Sequence, residues 1–271
     1  MNYRKATSFQ IPEIIKLWEE VFGDADDYIR RFISHFGIEN GYVCEINRSI
    51  VSMAFALPTS LKSPSNFSLY KIKYLYACAT HPDFQSQGIM TKLLNTVYEE
   101  ACNENCAGIF LQAVHQSLAE YYQKLGFEAF FFRDHAFYYY HREHENPLRP
   151  LRFSIISPEN YHKKRIQILE NNCFVDWNED FFRFLNKSET HFCEYENTIF
   201  SFKTGFNNII VDELLGDTPH KQIADLLFVE LPDFEVVHIR STGNEFCCGQ
   251  IKWCNPPENK PVNGWLGFAM E

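Results

Sequence analysis

Apolar positions in the first half of the chain change period in a definite order. Ile11, Ile14, Ile15, Trp18, Val21 and Phe22 recur at helical spacing, which predicts an amphipathic helix over 8–22 with Thr7 or Ser8 as cap and Pro12 in its first turn. Asp24 is the expected cap of a second helix, whose stripe is Ile29, Phe32, Ile33 and Phe36 and whose left-handed stop is Gly37. The pattern then turns to strands. "GYVCEINRSIVSMAFALP" reads as a hairpin turned at Asn47 and Arg48, and "FSLYKIKYLYACAT" as a longer strand. Met90, Leu93, Leu94, Val97 and Ala101 form a further helix face, ending near Cys106, and "AGIFLQAV" is a buried strand. In "SLAEYYQKLGF" a Ser-x-x-Glu box at Ser117 and Glu120 opens a helix that Gly126 closes. "EAFFFRD" and "AFYYYH" are read as two strands, giving the order ααββ-β-α-β-α-ββ.

A polar stretch with two prolines, "HREHENPLRPLR" at 141–152, suggests a boundary, and the periods then repeat loosely. "SPENYHKKRIQILENN" and "NEDFFRFLNK" read as helices, "HFCEYENTIFSFKTG" as a hairpin turned near Glu196 and Asn197, and "NNIIVDELL" as a strand. Helix "TPHKQIADLLFVEL" and strands "FEVVHIRST", "EFCCGQIKW" and "GWLGFAM" follow. The expected organisation is α/β, with an α+β mixed sheet in each of two tandem units, 1–142 and 150–271. The length of 271 residues accommodates either one large or two modest domains, and 26 Phe and 14 Tyr favour an aromatic-rich packed core.

Charge narrows the partners. The net charge of −10 is spread over scattered acids, which argues against nucleic acid and mildly favours a cationic amine such as a polyamine, an aminoglycoside or lysine. Nine cysteines at uneven spacing build no paired CxxC zinc pattern, and His141 with His144 has no completing ligand, so no metal is expected. There is neither a signal-peptide core nor an apolar run long enough to span a bilayer, so a cytoplasmic protein without membrane attachment is expected. Exposed edge strands leave oligomer formation open.

The chemistry concentrates where "YLYACATHPDFQSQGIMTKLL" passes from strand to helix. A helix start presents unpaired N–H groups and the positive dipole end, and Gly88 permits a close backbone approach, so a diphosphate fits there. One glycine in such a turn also serves as an ordinary packing joint. The segment as a whole, with His81-Pro82 and Gln85, Ser86, Gln87 and Gly88 in the pattern Gln-x-x-Gly, resembles the acetyl-CoA-binding segment of the GNAT superfamily of N-acetyltransferases. The order of elements in 1–142 is similar to that family's too. Where its signature ends in Gly or Ala, this chain has Met90, which puts a long side chain beside the loop.

Several roles follow from the resemblance. Residues Gln85, Ser86, Gln87, Gly88, Ile89, Met90 and Thr91 would cradle the diphosphate of acetyl-CoA, used as cosubstrate. Cys78, Ala79 and Thr80 would end a strand that splays from "IFLQAV" and pairs with the pantetheine arm. "YQKLGF" looks like the family's Tyr-x-Lys-x-Gly-Phe ending, which makes Tyr122 the expected general acid. A phenol with a pKa of ~10 is protonated at neutral pH and can serve a departing thiolate of pKa ~8.5. Tyr122 also reads as a core aromatic beside Leu118 and Leu125, with Tyr121 a lesser candidate for the acid. His115 stands where many relatives have Asn.

No general base stands out among Glu45, His81, Asp83 and Glu120. The second unit has Gly216 before a Thr218-Pro219 helix start and no Gln-x-x-Gly loop, so it reads as a degenerate copy. The expected activity is transfer of acetyl to a primary amine, on a small molecule or a peptide, by direct attack. The alternative is an acyl-CoA-binding sensor or interaction module without turnover, and acyl chains longer than acetyl stay open.

Overall fold

The computed structural model of the protein describes residues 1–64, 69–140 and 152–270. Residues 141–151 of the expected junction, with His141 and His144, lie outside the described residues. In the first segment, β1 (Asn2–Lys5) is followed by α1 (Ile11–Phe22), α2 (Asp26–Phe36), β2 (Gly41–Ile46), β3 (Ser49–Lys62) and β4 (Leu69–Thr80). Then come α3 (Ile89–Asn103), β5 (Gly108–Leu111), α4 (Gln116–Lys124) and β6 (Glu128–Tyr139). The second segment holds β7 (Ser154–Ile155), α5 (Pro158–Ile168), β8 (Phe174–Asp176), α6 (Glu179–Lys187), β9 (His191–Tyr195) and β10 (Thr198–Thr204). It ends with β11 (Asn208–Leu215), α7 (His220–Glu230), β12 (Val236–Thr242) and β13 (Phe246–Trp253).

Local chemistry accounts for most boundaries. Asn47 and Arg48 take positive φ at 49° and 70° and turn the β2–β3 hairpin where expected, and Gly37 ends α2 at φ 85°. Three start signals do not act as predicted. Ala25, not Asp24, is the N-cap of α2, because the Asp24 carboxylate accepts the indole N–H of Trp18 at 2.8 Å instead. Ser117 and Glu120 form no capping box, since α4 begins two residues earlier, behind His115. Pro219 caps α7, and the Thr218 hydroxyl accepts from that of Thr198 at 2.7 Å.

Among the described residues, strands form one continuous sheet in the order β1-β2-β3-β4-β5-β13-β6-β12-β11-β10-β9-β7, with β8 beside β3. β13, from the end of the chain, lies between β5 and β6, while β6 pairs antiparallel with β12. Each segment therefore lends its last strand to the other. This exchange explains why β6 is one strand of twelve residues where two were expected: its first part pairs with β13 and its later part with β12, so nothing interrupts it. "GWLGFAM" makes only single bridges, at Gly264 to Phe131 and Trp265 to Phe174.

One core joins the segments. Trp18 and Phe32 of α1 and α2, Tyr161 of α5, Phe181 and Phe182 of α6, and Trp265 and Phe268 of the C-terminal run pack together. α3 and α4 pack separately, through Leu93, Leu94, Val97 and Tyr122, against Leu75, Ile109 and Leu111. The C-terminal run is pinned from below. Glu213 and Arg165, both with fully buried side chains, pair at 2.9 Å, and Glu213 also accepts from Tyr161 at 3.0 Å and from the Trp265 indole at 2.6 Å. The Trp177 indole holds the Leu266 carbonyl at 2.9 Å, so residues 265–270 are led to the joint between β4 and β5.

Candidate active site

β4 and β5 are parallel, yet they pair only from Ile72 with Gly108 to Tyr74 with Phe110. Beyond Tyr74 the strands part. Ala77 takes φ 49°, outside the strand region, and the β3–β4 register shifts at the same place, so residues 75–80 bend away while still held by β3. Cys78, Ala79 and Thr80 are thus on the open stretch of β4, as expected. The Ser52 hydroxyl fixes that stretch from behind, donating to the Ala79 carbonyl at 2.9 Å.

β4 leads through His81 into the loop of residues 85–88. Ser86 and Gly88 both take left-handed backbone, at φ 60° and 73°. The first ladder bond of α3 runs from Lys92 N–H to the Gly88 carbonyl at 3.1 Å, so the amides of Ile89, Met90 and Thr91 stand ahead of the ladder. A Cβ on Gly88 would meet nothing within 4 Å, so the loop faces open space. These features fit an anion: several orphan amides, the positive end of a fifteen-residue helix, and no side chain in the way.

The flanking side chains brace this loop. Gln85 donates to the Thr80 carbonyl at 3.1 Å and Gln87 to the Asp83 carbonyl at 3.2 Å, so both amides shape the loop where sequence reading made them ligand donors. Ile89 is buried in a small core with Cys44 and Val51. Met90 packs toward the α3 core beside Leu93 and Leu94, which takes its long side chain from the cradle. The Thr91 hydroxyl meets that of Tyr121 at 3.0 Å and ties α3 to α4.

The parted strands enclose a cavity of about 240 Å³. Its lining includes Tyr76 and Cys78 of β4, Leu111 of β5, Tyr122 of α4, Met270 and Asp24. Tyr122, at 8% exposure, is a hydrogen-bond neighbour of the Cys78 thiol, whereas Tyr121 is not in the lining. Burial is the main cause that raises the Tyr122 phenol well above its ordinary pKa, with Cys78 adding to it. Burial likewise pushes the Cys78 thiol up to about 12, because a desolvated thiolate is disfavoured.

Asp24 is the site residue that sequence reading missed, since its position before a helix signalled a cap. It is the one carboxylate in the cavity lining, and the Trp18 indole occupies a single oxygen, Oδ2. Burial raises the phenols of Tyr28 and Tyr76, whose hydroxyls lie 3.0 Å apart, and the Asp24 charge adds a smaller contribution. The four titratable groups considered from sequence lie elsewhere. Glu45 pairs with Arg4 at 2.7 Å, His81 lies 3.3 Å from Glu20, Asp83 is exposed, and Glu120 takes the Gln116 amide at 3.4 Å. His115 lines a different cavity, of about 480 Å³.

In the second segment the strand-to-helix joint between β11 and α7 is closed. β11 and β12 pair from Asn208 to Leu214, and a Cβ on Gly216 would come within 2.5 Å of the Thr198 hydroxyl and 2.8 Å of the Asn197 carbonyl. Gly216 serves packing against a neighbouring turn. Among the described residues no group of three or more His, Cys, Asp or Glu is placed to hold a metal ion, and no helix is long and apolar enough to cross a membrane.

Comparisons agree with this geometry. The chain is similar over 94% of its length to a GCN5-related N-acetyltransferase from Kribbella flavida, at 13% identity, a TM-score of 0.70 and 72% of that chain. It is similar over 92% to a GCN5-related N-acetyltransferase from Anabaena variabilis, at 13% identity, 0.66 and 70%. Eis1 from Mycobacterium abscessus matches over 94%, at 12% identity, 0.65 and 74% of its chain. At such identities the likeness is one of fold. No curated protein matches the sequence. Residues 2–130, however, match the family model described as an acetyltransferase (GNAT) domain, which identifies that part of the chain as similar to the GNAT acetyltransferases.

Proposed function

We propose that the protein transfers an acetyl group from acetyl-CoA to a primary amine by direct attack, in the cytoplasm. The observation that carries this reading is the opening between β4 and β5 beyond Tyr74, with the Tyr122 hydroxyl set in its wall. The amides of residues 88–91 would hold the diphosphate, and the β5-facing backbone of Cys78, Ala79 and Thr80 would pair with the pantetheine amides. When bound, acetyl-CoA supplies an activated thioester carbonyl.

The chain's own groups then divide the proton work. Asp24 receives the acceptor's ammonium at the cavity wall and takes its proton, because its second oxygen is left over by Trp18. Unpaired backbone N–H groups of the bent β4 steady the negative charge that develops on the carbonyl oxygen. Tyr122 gives its proton to the departing sulfur. The high pKa of Cys78 in the same cavity explains why that proton is needed, and it also leaves Cys78 a poor nucleophile, which favours direct attack over an acyl-enzyme.

We further propose that 150–271 is a degenerate tandem copy of 1–142, since the exchanged strands and the closed β11–β12 joint suit a duplicated fold with one working cradle.

The test is amine-dependent release of thiol from acetyl-CoA. Asp24→Asn should lower kcat/KM for the amine by about 10–100-fold, the worth of one charge-assisted hydrogen bond, without loss of acetyl-CoA binding. Tight acetyl-CoA binding with no release across a broad amine panel would instead assign the chain to sensing.

A further inference from the structure

We propose that the acceptor is a primary amine that also bears an anionic group, carboxylate or phosphate, with its amine at Asp24 and its anion held by Arg31 and Lys187. The inference rests on the transfer reading above and concerns a second cavity, of about 380 Å³, between α2 and α6. Asp24 and Met270 line both cavities. One molecule can therefore place its nucleophile beside the thioester and its remainder in the second cavity.

The charges of the second cavity differ from those of the chain as a whole. Asp212, in its lining, already holds Arg240 at 2.9 Å and Lys203 at 3.6 Å. Arg31 and Lys187 have no ion-pair partner among the described residues, although acids outnumber bases 35 to 25 in the sequence. Arg31 is also positioned. Its guanidinium lies 5.7 Å from the Tyr28 ring and 5.9 Å from the Phe184 ring, and one nitrogen donates to the Ser188 hydroxyl at 3.3 Å. A guanidinium held against aromatic faces, with donors left over, suits a carboxylate or phosphate, which it can take through two parallel hydrogen bonds.

Glu189 is the other acid of this lining, and it is exposed at the rim. Net negative charge on the chain biases the approach of cations over a Debye length, whereas the unpaired cations decide what is held once a ligand is inside. The two residues come from α2 and from the end of α6, so both segments build the acceptor site.

Matched acceptors test the proposal: ω-amino carboxylates of increasing length, their amides, and the diamines of equal length, each assayed by thiol release from acetyl-CoA. A carboxylate should be preferred over its amide by at least about tenfold in kcat/KM, the worth of a charge-assisted hydrogen bond. Arg31→Gln combined with Lys187→Gln should bring that ratio towards one while acetyl-CoA still binds. Preference for amides or diamines, or a carboxylate preference that survives the double substitution, overturns this inference alone. Absence of release with every amine, with acetyl-CoA bound, overturns the transfer reading and this inference with it.

Discussion

Replacement of Tyr122 by Phe is expected to lower amine-dependent turnover by about 10²–10⁴-fold, the usual contribution of a general acid, while acetyl-CoA binds as before. The ring would stay in place, because Tyr122 packs edge-on to Phe127 at 5.6 Å and against the α3 core, and Phe keeps those contacts. Only the hydroxyl beside Cys78 is lost. A sulfur leaving into a cavity that holds the Cys78 thiol protonated up to about 12 then has no donor of suitable strength. The loss should fall on kcat, since the proton is delivered in the transition state and not on binding. Tyr121→Phe is the control. Its hydroxyl is turned to Thr91, so a large kcat loss there and none at Tyr122 would reassign the acid.

The second large effect is on stability. Glu213→Gln should destabilise the fold by about 3–5 kcal/mol, because it leaves the Arg165 guanidinium buried without its counter-charge. Arg165 donates through Nε to both Glu213 oxygens and through Nη1 to the Val175 carbonyl at 2.9 Å, and it has no route to solvent. Replacing both members by apolar residues, Arg165→Met with Glu213→Leu, should recover much of the loss, since the pair's desolvation offsets most of its attraction. Thermal unfolding of the single and double variants checks this. Equal destabilisation in both would show that the hydrogen bonds to Tyr161 and Trp265 matter more than the charges.

Glu213 also bears on function through Trp265. That indole anchors the run that ends with Met270 in the walls of both cavities, and the Tyr74 hydroxyl donates to the Met270 carbonyl at 3.5 Å. Loosening the anchor should blur the border between thioester and acceptor.

What was legible in the sequence was local. Helical stripes such as Ile29, Phe32 and Ile33 read correctly because the period of a buried face is set by backbone geometry wherever the helix docks. The loop of residues 85–88 and the helix that carries Tyr122 were legible because a short strand-to-helix turn and one helix set their residue types and spacing. The exchange of β6 and β13 was not, since the alternation of a strand is the same beside either neighbour. β8 was missed for its length of three residues. Asp24 was misread because a carboxylate before a helix normally caps it, and only the fold brings the Trp18 indole to compete. The cavity between α2 and α6 depends on two segments more than 150 residues apart, as the Arg31 to Ser188 bond shows, and no local pattern reports that pairing.

The most direct test of the account is a calorimetric titration of the protein with acetyl-CoA, beside a Gly88→Arg variant. Gly88 has φ 73° and open space where its side chain would be, so an arginine there puts a large, backbone-strained group where the diphosphate is expected. One site per chain, lost in the variant, is the predicted result. Two sites per chain, or a single site that survives Gly88→Arg, would contradict it.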